Sequence, residues 1–142
     1  MPTRRINAER SKGSVAVELA VALPLLVFLA VIGVDFARIF SRTIAMETAA
    51  RNAAVYASED RVTAQDSAKI EAVALKDLAD ISPAPTVTSK ITTAADGNEY
   101  IKVKVEHRFE TVTDFPGVNK RWDLVRTSYM RIRPVNPKPG TY

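Results

Sequence analysis

Residues 14–34 read SVAVELAVALPLLVFLAVIGV, 21 positions with one charge, Glu18. As a helix rising about 1.5 Å per residue, the run would be about 31 Å long, close to the thickness of a bilayer's hydrocarbon core. It is apolar on every side apart from Glu18. The rest of a 142-residue chain leaves one modest domain, whose core is too shallow to surround such a helix. A transmembrane helix is therefore predicted over 14–34. Pro24 and Gly33 would break a soluble helix, but they are tolerated in a membrane, where neighbouring helices satisfy the released backbone groups; Pro24 predicts a helix kink.

The residues before the run set its direction. Arg4, Arg5, Arg10 and Lys12, against Glu9 alone, give the 1–13 leader three of the chain's four net positive charges. Basic residues beside a span stay on the cytoplasmic side, whereas the residues after it mix Asp35 with Arg38 and Arg42. The expected arrangement has four parts: a basic cytoplasmic leader (1–13), a single span (14–34), an extracytoplasmic domain (35–133) and a flexible tail (134–142). This places the protein in the inner (cytoplasmic) membrane. A cleavable secretory signal fits poorly, because the apolar stretch exceeds the usual 7 to about 15 residues and VIGVDFARIF offers no small-x-small site. Beyond the leader, acids and bases alternate without a basic stripe, so no nucleic-acid partner is expected. The chain has no cysteine, which excludes disulfides and thiolate metal sites.

A carboxylate within a bilayer costs about 2.5–3.5 kcal/mol on insertion scales, so Glu18 calls for a partner. Cutting after Gly13 would create one, the α-amine of Ser14, a group that ordinarily titrates at about 7.7–8.0. Glu18 would then be the fifth residue, on the same helical face as the first and in the turn where the helix dipole favours a negative charge. The plainer alternatives are an interfacial acid near the headgroups or paired with Lys12, and a glycine that only loosens the chain before a helix.

Lys12-Gly13, then Ser14-Val15-Ala16-Val17-Glu18 and a long apolar run, resembles the processing site of type IV pilin-like proteins. The wider stretch GSVAVELAVALPLLVFLAVIGVDFARIFSRTIAMETAARNAAVYAS resembles more closely the TadE-like proteins of the tight-adherence (Flp) pilus system. It shares their G-x-x-x-V-E, the L-P inside the apolar run, the acidic-aromatic pair Asp35-Phe36 and an alanine-rich helix. The resemblance covers about residues 10–58 and loosens afterwards, where Ser128-Tyr129-Met130-Arg131 is similar to the family's last strand. Leu19 departs from the Phe or Tyr common at that position, which bears on the efficiency of cleavage. The resemblance implies that a prepilin peptidase cuts after Gly13, that Ser14 becomes the N-terminus and that Glu18 docks the subunit. Its implied partners are that peptidase, other pilins, inner-membrane pilus assembly proteins and membrane lipid. The function expected is that of a minor pilin or pseudopilin in assembly or initiation of an Flp-type pilus. The alternative is an uncleaved, single-pass, membrane-tethered binding module.

The fold class expected is α+β. Alanines at 45, 49, 50, 53, 54 and 57, with no Pro or Gly nearby, extend the span as one helix to about Ser58. A second helix is predicted over Thr63–Asp80, capped by Thr63 or Asp66, with Ala68, Val73, Leu75, Leu78 and Ala79 as its stripe. A small antiparallel sheet of about three strands follows. Val87 and Ile91 share one face of the first strand, and Ala95-Asp96-Gly97-Asn98 makes the turn. Ile101, Val103, Val105, His107 and Phe109 share a face of the second, and Leu124, Met130 and Ile132 are in phase along Arg121–Arg133. The residues suggest no enzyme and no cofactor. His107 is the one histidine and reads as a core or edge residue, Asp96-Gly97-Asn98 reads as a turn rather than a calcium loop, and neither a phosphate loop nor a nucleophile elbow is present. Phe115 and Trp122 are the aromatic residues suited to a protein contact.

Overall fold

A computed structural model describes residues 8–112 and 120–133, with side chains from Gly13 onward. Arg4, Arg5, Phe115, the loop at 114–117 and the tail over 134–142 lie outside the described residues, and the side chains of Arg10 and Lys12 lie outside the described side chains. The chain divides into two compact units between Ala37 and Arg38. Helix α1 (Ala8–Ala57) supplies the described part of the first unit and the opening helix of the second.

In the first unit α1 carries the apolar run, continues through Pro24, and is long and apolar enough to cross a membrane. Leu19, Val21, Leu23, Leu25, Leu26 and Val27 are all more than half exposed, and none of the most apolar stretch is buried. Apolar surface on this scale is unfavourable in water.

In the second unit the alanines explain the packing. Met46, Ala49, Ala50, Ala53, Ala54 and Ala57 repeat at three- and four-residue spacing, are at most 1% exposed, and share one core with Ile70, Ala74, Leu78, Ile101, Val103, Val105 and Ile132. Methyl side chains along one stripe let neighbouring elements approach the helix closely.

The second predicted helix is two helices, α2 (Arg61–Gln65) and α3 (Ser67–Lys76). Asp60 caps α2 by accepting from the Thr63 N–H at 2.6 Å, and Asp66 caps α3 by accepting from the Lys69 N–H at 3.1 Å. Both carboxyls are held below the usual carboxylate range, Asp60 by the Thr63 backbone and Asp66 by the Lys69 side chain and backbone. Ile70, Ala74, Leu78 and Ile81 face the core, whereas Ala68 and Ala79, expected in the stripe, are exposed.

The sheet has the order β1 (Thr86–Thr93), β2 (Glu99–Glu110), β3 (Arg121–Arg131), antiparallel throughout. The β1–β2 turn closes with the Gly97 N–H donating to the Ala94 carbonyl at 3.0 Å, and Gly97 takes φ +77°, a left-handed conformation that a side chain would strain. Asp96 accepts from both the backbone and the side-chain nitrogen of Asn98, at 2.9 and 2.6 Å. Ile101, Val103, Val105, His107 and Phe109 form the buried face of β2, with Val87 and Ile91 of β1 beside them. Leu124 and Met130 are half-buried on β3, and Ile132, buried just past the strand, donates its N–H to the Glu99 carbonyl at 2.9 Å. Arg133 N–H to Ser58 carbonyl, at 3.0 Å, and the ion pair Arg61–Glu99, at 3.1 Å, fasten the end of the sheet to the α1–α2 connection.

Candidate functional site

Gly13, Ser14 and Glu18 lie in consecutive turns of α1. The Ser14 hydroxyl donates to Glu18 Oε1 at 3.5 Å, the outer limit of a hydrogen bond, which shows that residues one turn apart present their polar groups on the same face. Val15, Val17 and Leu19 beside them are all more than half exposed. Glu18 is thus an exposed carboxylate on an otherwise apolar helical surface.

Gly13 adopts no positive φ, and a Cβ built on it meets nothing within 4 Å. Alanine is the better helix former by about 1 kcal/mol, so helix formation alone would favour replacing this glycine. Nothing among the described residues requires it.

The second unit holds a further polar site that sequence reasoning missed. Arg38 and Arg42, one turn apart on α1, line a cavity of about 330 Å³ with Ser82, Pro83, His107, Arg108, Phe109 and Glu110. Arg38 lies over the Phe109 ring at 5.2 Å, within cation–π range. Arg42 donates to the Asp80 carbonyl at 3.3 Å. Arg108 is paired with Asp123 at 3.0 Å, and Glu110 with Arg121 at 2.9 Å. These residues come from α1, the 82–83 segment and β2, so no sequence spacing brings them together. The one available signal was Arg38 and Arg42 at i and i+4, a like-charge pair that costs a helix stability unless something compensates.

His107 is 5% exposed, and its Nδ1 has no hydrogen-bond partner. The ring is bonded to the Pro83 carbonyl. Burial, reinforced by the Arg42 charge, holds the imidazole below its ordinary range against the opposing effect of that bond. The unfolded chain would therefore take up a proton near the ordinary value of 6.5, while the folded one stays neutral to lower pH. Within that window the unfolded state carries more protons, so stability falls as pH falls. Melting of the full chain in an uncharged detergent should show a midpoint that declines from pH 6.5 to 5. The same series on His107→Gln should be flatter; parallel curves would assign the pH dependence to other groups.

Trp122 is 47% exposed and sits opposite Phe109 in the β2–β3 register. Among the described residues, no three His, Asp or Glu side chains gather as a metal site.

A family model described as TadE-like protein matches residues 13–55. The match begins at Gly13, includes Ser14, Glu18 and Pro24, and runs through the alanine stripe to Val55. No curated protein and no solved structure matches the chain.

Proposed function

From the match to TadE-like proteins over residues 13–55, we propose that this chain is a minor pilin or pseudopilin-like membrane protein of an Flp-type pilus. It is processed after Gly13 by a prepilin peptidase and acts in assembly or initiation of the filament. The observation that carries the reading is the pairing of a glycine the fold does not need with a carboxylate one helical turn beyond the scissile bond, on a helix whose apolar surface is uncovered.

Cleavage between Gly13 and Ser14 converts the Ser14 nitrogen from an amide into an ammonium and removes the basic leader. The new cation would lie on the Glu18 face of the helix and could meet the carboxylate of its own chain or of the next. In apolar surroundings such a pair specifies register, because a neighbour displaced along the helix leaves a buried charge without a partner. Lateral packing of exposed apolar helices would supply the bulk of the contact, and the charge pair its alignment.

The chain extracted from membranes that contain the peptidase should begin at Ser14 by N-terminal sequencing, and at Met1 or Pro2 when the peptidase gene is deleted. A chain that keeps residues 1–13 in both membranes would sink the processing claim. It would favour the uncleaved tethered module instead.

A further inference from the structure

We propose that the outer edge of β3 pairs with the same edge of a second copy of this chain, antiparallel and in the register that sets Thr127 opposite Thr127. Among the described residues β3 forms a ladder with β2 alone, so it is the last strand of the sheet on that side. Hydrogen-bond alternation shows which groups the edge presents. Ile132 N–H reaches the Glu99 carbonyl, and the Lys120 carbonyl accepts from Thr111 N–H, so the even-numbered residues between them bond to β2. The N–H and C=O groups of Asp123, Val125, Thr127, Tyr129 and Arg131 therefore point outward, a template for another strand. Arg133, next in the same phase, gives its N–H to the Ser58 carbonyl and closes that end of the edge. On the core-facing side Leu124, Arg126, Ser128 and Met130 are half-buried, whereas Ile101, Val103 and Val105 of β2 are fully buried. The covered layer thins at β3, and a neighbouring strand would continue it.

Two identical strands related by a two-fold axis can pair with any one residue on that axis, and the side chains of β3 discriminate between the choices. With Thr127 on the axis, Asp123 meets Arg131, Val125 meets Tyr129, Leu124 meets Met130 and Arg126 meets Ser128, each twice by symmetry. Opposite charges, a β-branched and aromatic pair, and two apolar side chains of the core-facing side fall opposite one another. With Arg126 on the axis, Arg126 would face itself and Arg121 would face Arg131, which repels. With Val125 on the axis, Asp123 would face Thr127 and Leu124 would face Arg126, so neither charge gains a counter-charge. With Ser128 on the axis, Asp123 would have to pair with Arg133, whose N–H is already committed to Ser58.

The contacts within one copy bear on the joint. Asp123 is paired with Arg108 at 3.0 Å, so in the dimer it would lie between Arg108 and the second copy's Arg131. Arg131 also interacts electrostatically with Asp96 of the β1–β2 turn. Lys102 lies over the Tyr129 ring at 5.4 Å, on the face where Val125 of the second copy would arrive. One side chain opposes the pairing. Arg126 donates to the Val125 carbonyl at 2.7 Å, and that carbonyl is the acceptor needed by Tyr129 N–H of the second copy. The guanidinium must give way, and the two copies of Arg126 would be diagonal neighbours, so this residue limits the affinity and keeps the dimer reversible. Every residue of the joint belongs to the second unit. The inference needs neither leader cleavage nor filament assembly, and its failure would leave the processing claim untouched.

The chain has no cysteine, so an introduced one reports a single contact. Hydrogen-bonded partners in an antiparallel ladder have Cα atoms about 5.5 Å apart, within the disulfide range of about 4.4–6.8 Å. Full-length Thr127→Cys, oxidised in an uncharged detergent, should form a covalent dimer. Full-length Val125→Cys, on the same face of the same strand, should remain monomeric, because its counterpart lies about 13 Å further along the ladder. Equal linkage of both variants would report proximity through α1 instead of edge pairing and would overturn the inference. So would the absence of linkage in Thr127→Cys. Linkage only in a chain shortened to end at Arg133 would give the edge to residues 134–142 and would overturn it as well.

Charge reversal tests the register. Added to Thr127→Cys, Asp123→Arg alone and Arg131→Asp alone each set like charges opposite one another, and each should weaken association about tenfold. Mixing the two chains restores both opposite-charge pairs and should restore linkage, a recovery that misfolding cannot mimic. Arg126→Thr removes the competing donor and should raise the yield several-fold. No recovery on mixing, or linkage through Val125→Cys in preference to Thr127→Cys, would overturn the register.

Discussion

Glu18→Ala should mature normally, with Ser14 as its first residue, and fail to support piliation in cells where the wild-type chain restores it. Gly13→Trp should fail one step earlier and accumulate with its leader attached. The two outcomes separate because the residues answer to different agents. Gly13 stands in open space at a non-strained backbone position, so the described fold accommodates a bulky side chain there, and on the proposed reading the peptidase is what rejects it. Glu18 is an exposed residue of the first unit, hydrogen-bonded to the Ser14 hydroxyl, so removing its carboxylate leaves the core of the second unit intact. What is lost is the partner for the new ammonium. An ion confined in apolar surroundings without a counter-charge costs several kcal/mol, and tenfold in an assembly constant is about 1.4 kcal/mol, so a loss of assembly by a factor of 100 or more is expected. Immunoblots of sheared filaments alongside N-terminal sequencing would report both steps. Piliation equal to wild type in Glu18→Ala would remove the docking role while leaving the cleavage site standing.

Ala53→Leu should markedly destabilise the second unit. Ala53 is 0% exposed, in the middle of the stripe that runs from Met46 to Ala57. Three added carbons have nowhere to go unless neighbouring elements separate, and overpacking of this kind costs about 1–3 kcal/mol, occasionally more. A small domain has only about 5–15 kcal/mol of stability in all. At about 4–8 °C per kcal/mol, the melting midpoint should fall by about 5–20 °C. Val55→Leu, two residues away on the same helix, is the control. Val55 is 47% exposed, and its substitution should change stability by less than about 0.5 kcal/mol. Equal midpoints for the two variants, followed by circular dichroism of the full chain, would contradict the close approach of sheet and helix.

Much of this architecture was legible in the sequence because it rests on local periodicity. The apolar run and the alanines that follow it define α1 to within a residue of its observed end at Ala57, since both signals favour helix and no Pro or Gly lies between Val34 and Ala57. The alternation from Ile101 to Phe109 identifies the buried face of β2 residue by residue. The reading failed where one residue did two jobs. Asp66 ends α2 and caps α3, so the single helix expected over Thr63–Asp80 is two, and within α3 the core face is set by Ile70 and Ala74 rather than by Ala68. At the N-terminal site, the order of glycine, serine and glutamate was visible as spacing, but the openness around Gly13 is a property of three dimensions. The arginine cavity was invisible for a related reason. Residues near 40, 82 and 108 meet only once the sheet has folded against the helix, and no one-dimensional rule couples them.

The open surroundings of Gly13 separate two kinds of inheritance within one helix. Ala53 is held by its own neighbours in the core, so every descendant that keeps the fold must keep a small residue there. Gly13 is held by nothing among the described residues. On the proposed reading, a lineage without the peptidase would let the glycine drift while the alanine stripe stayed fixed, and the two positions would record separately the loss of processing and the survival of the fold.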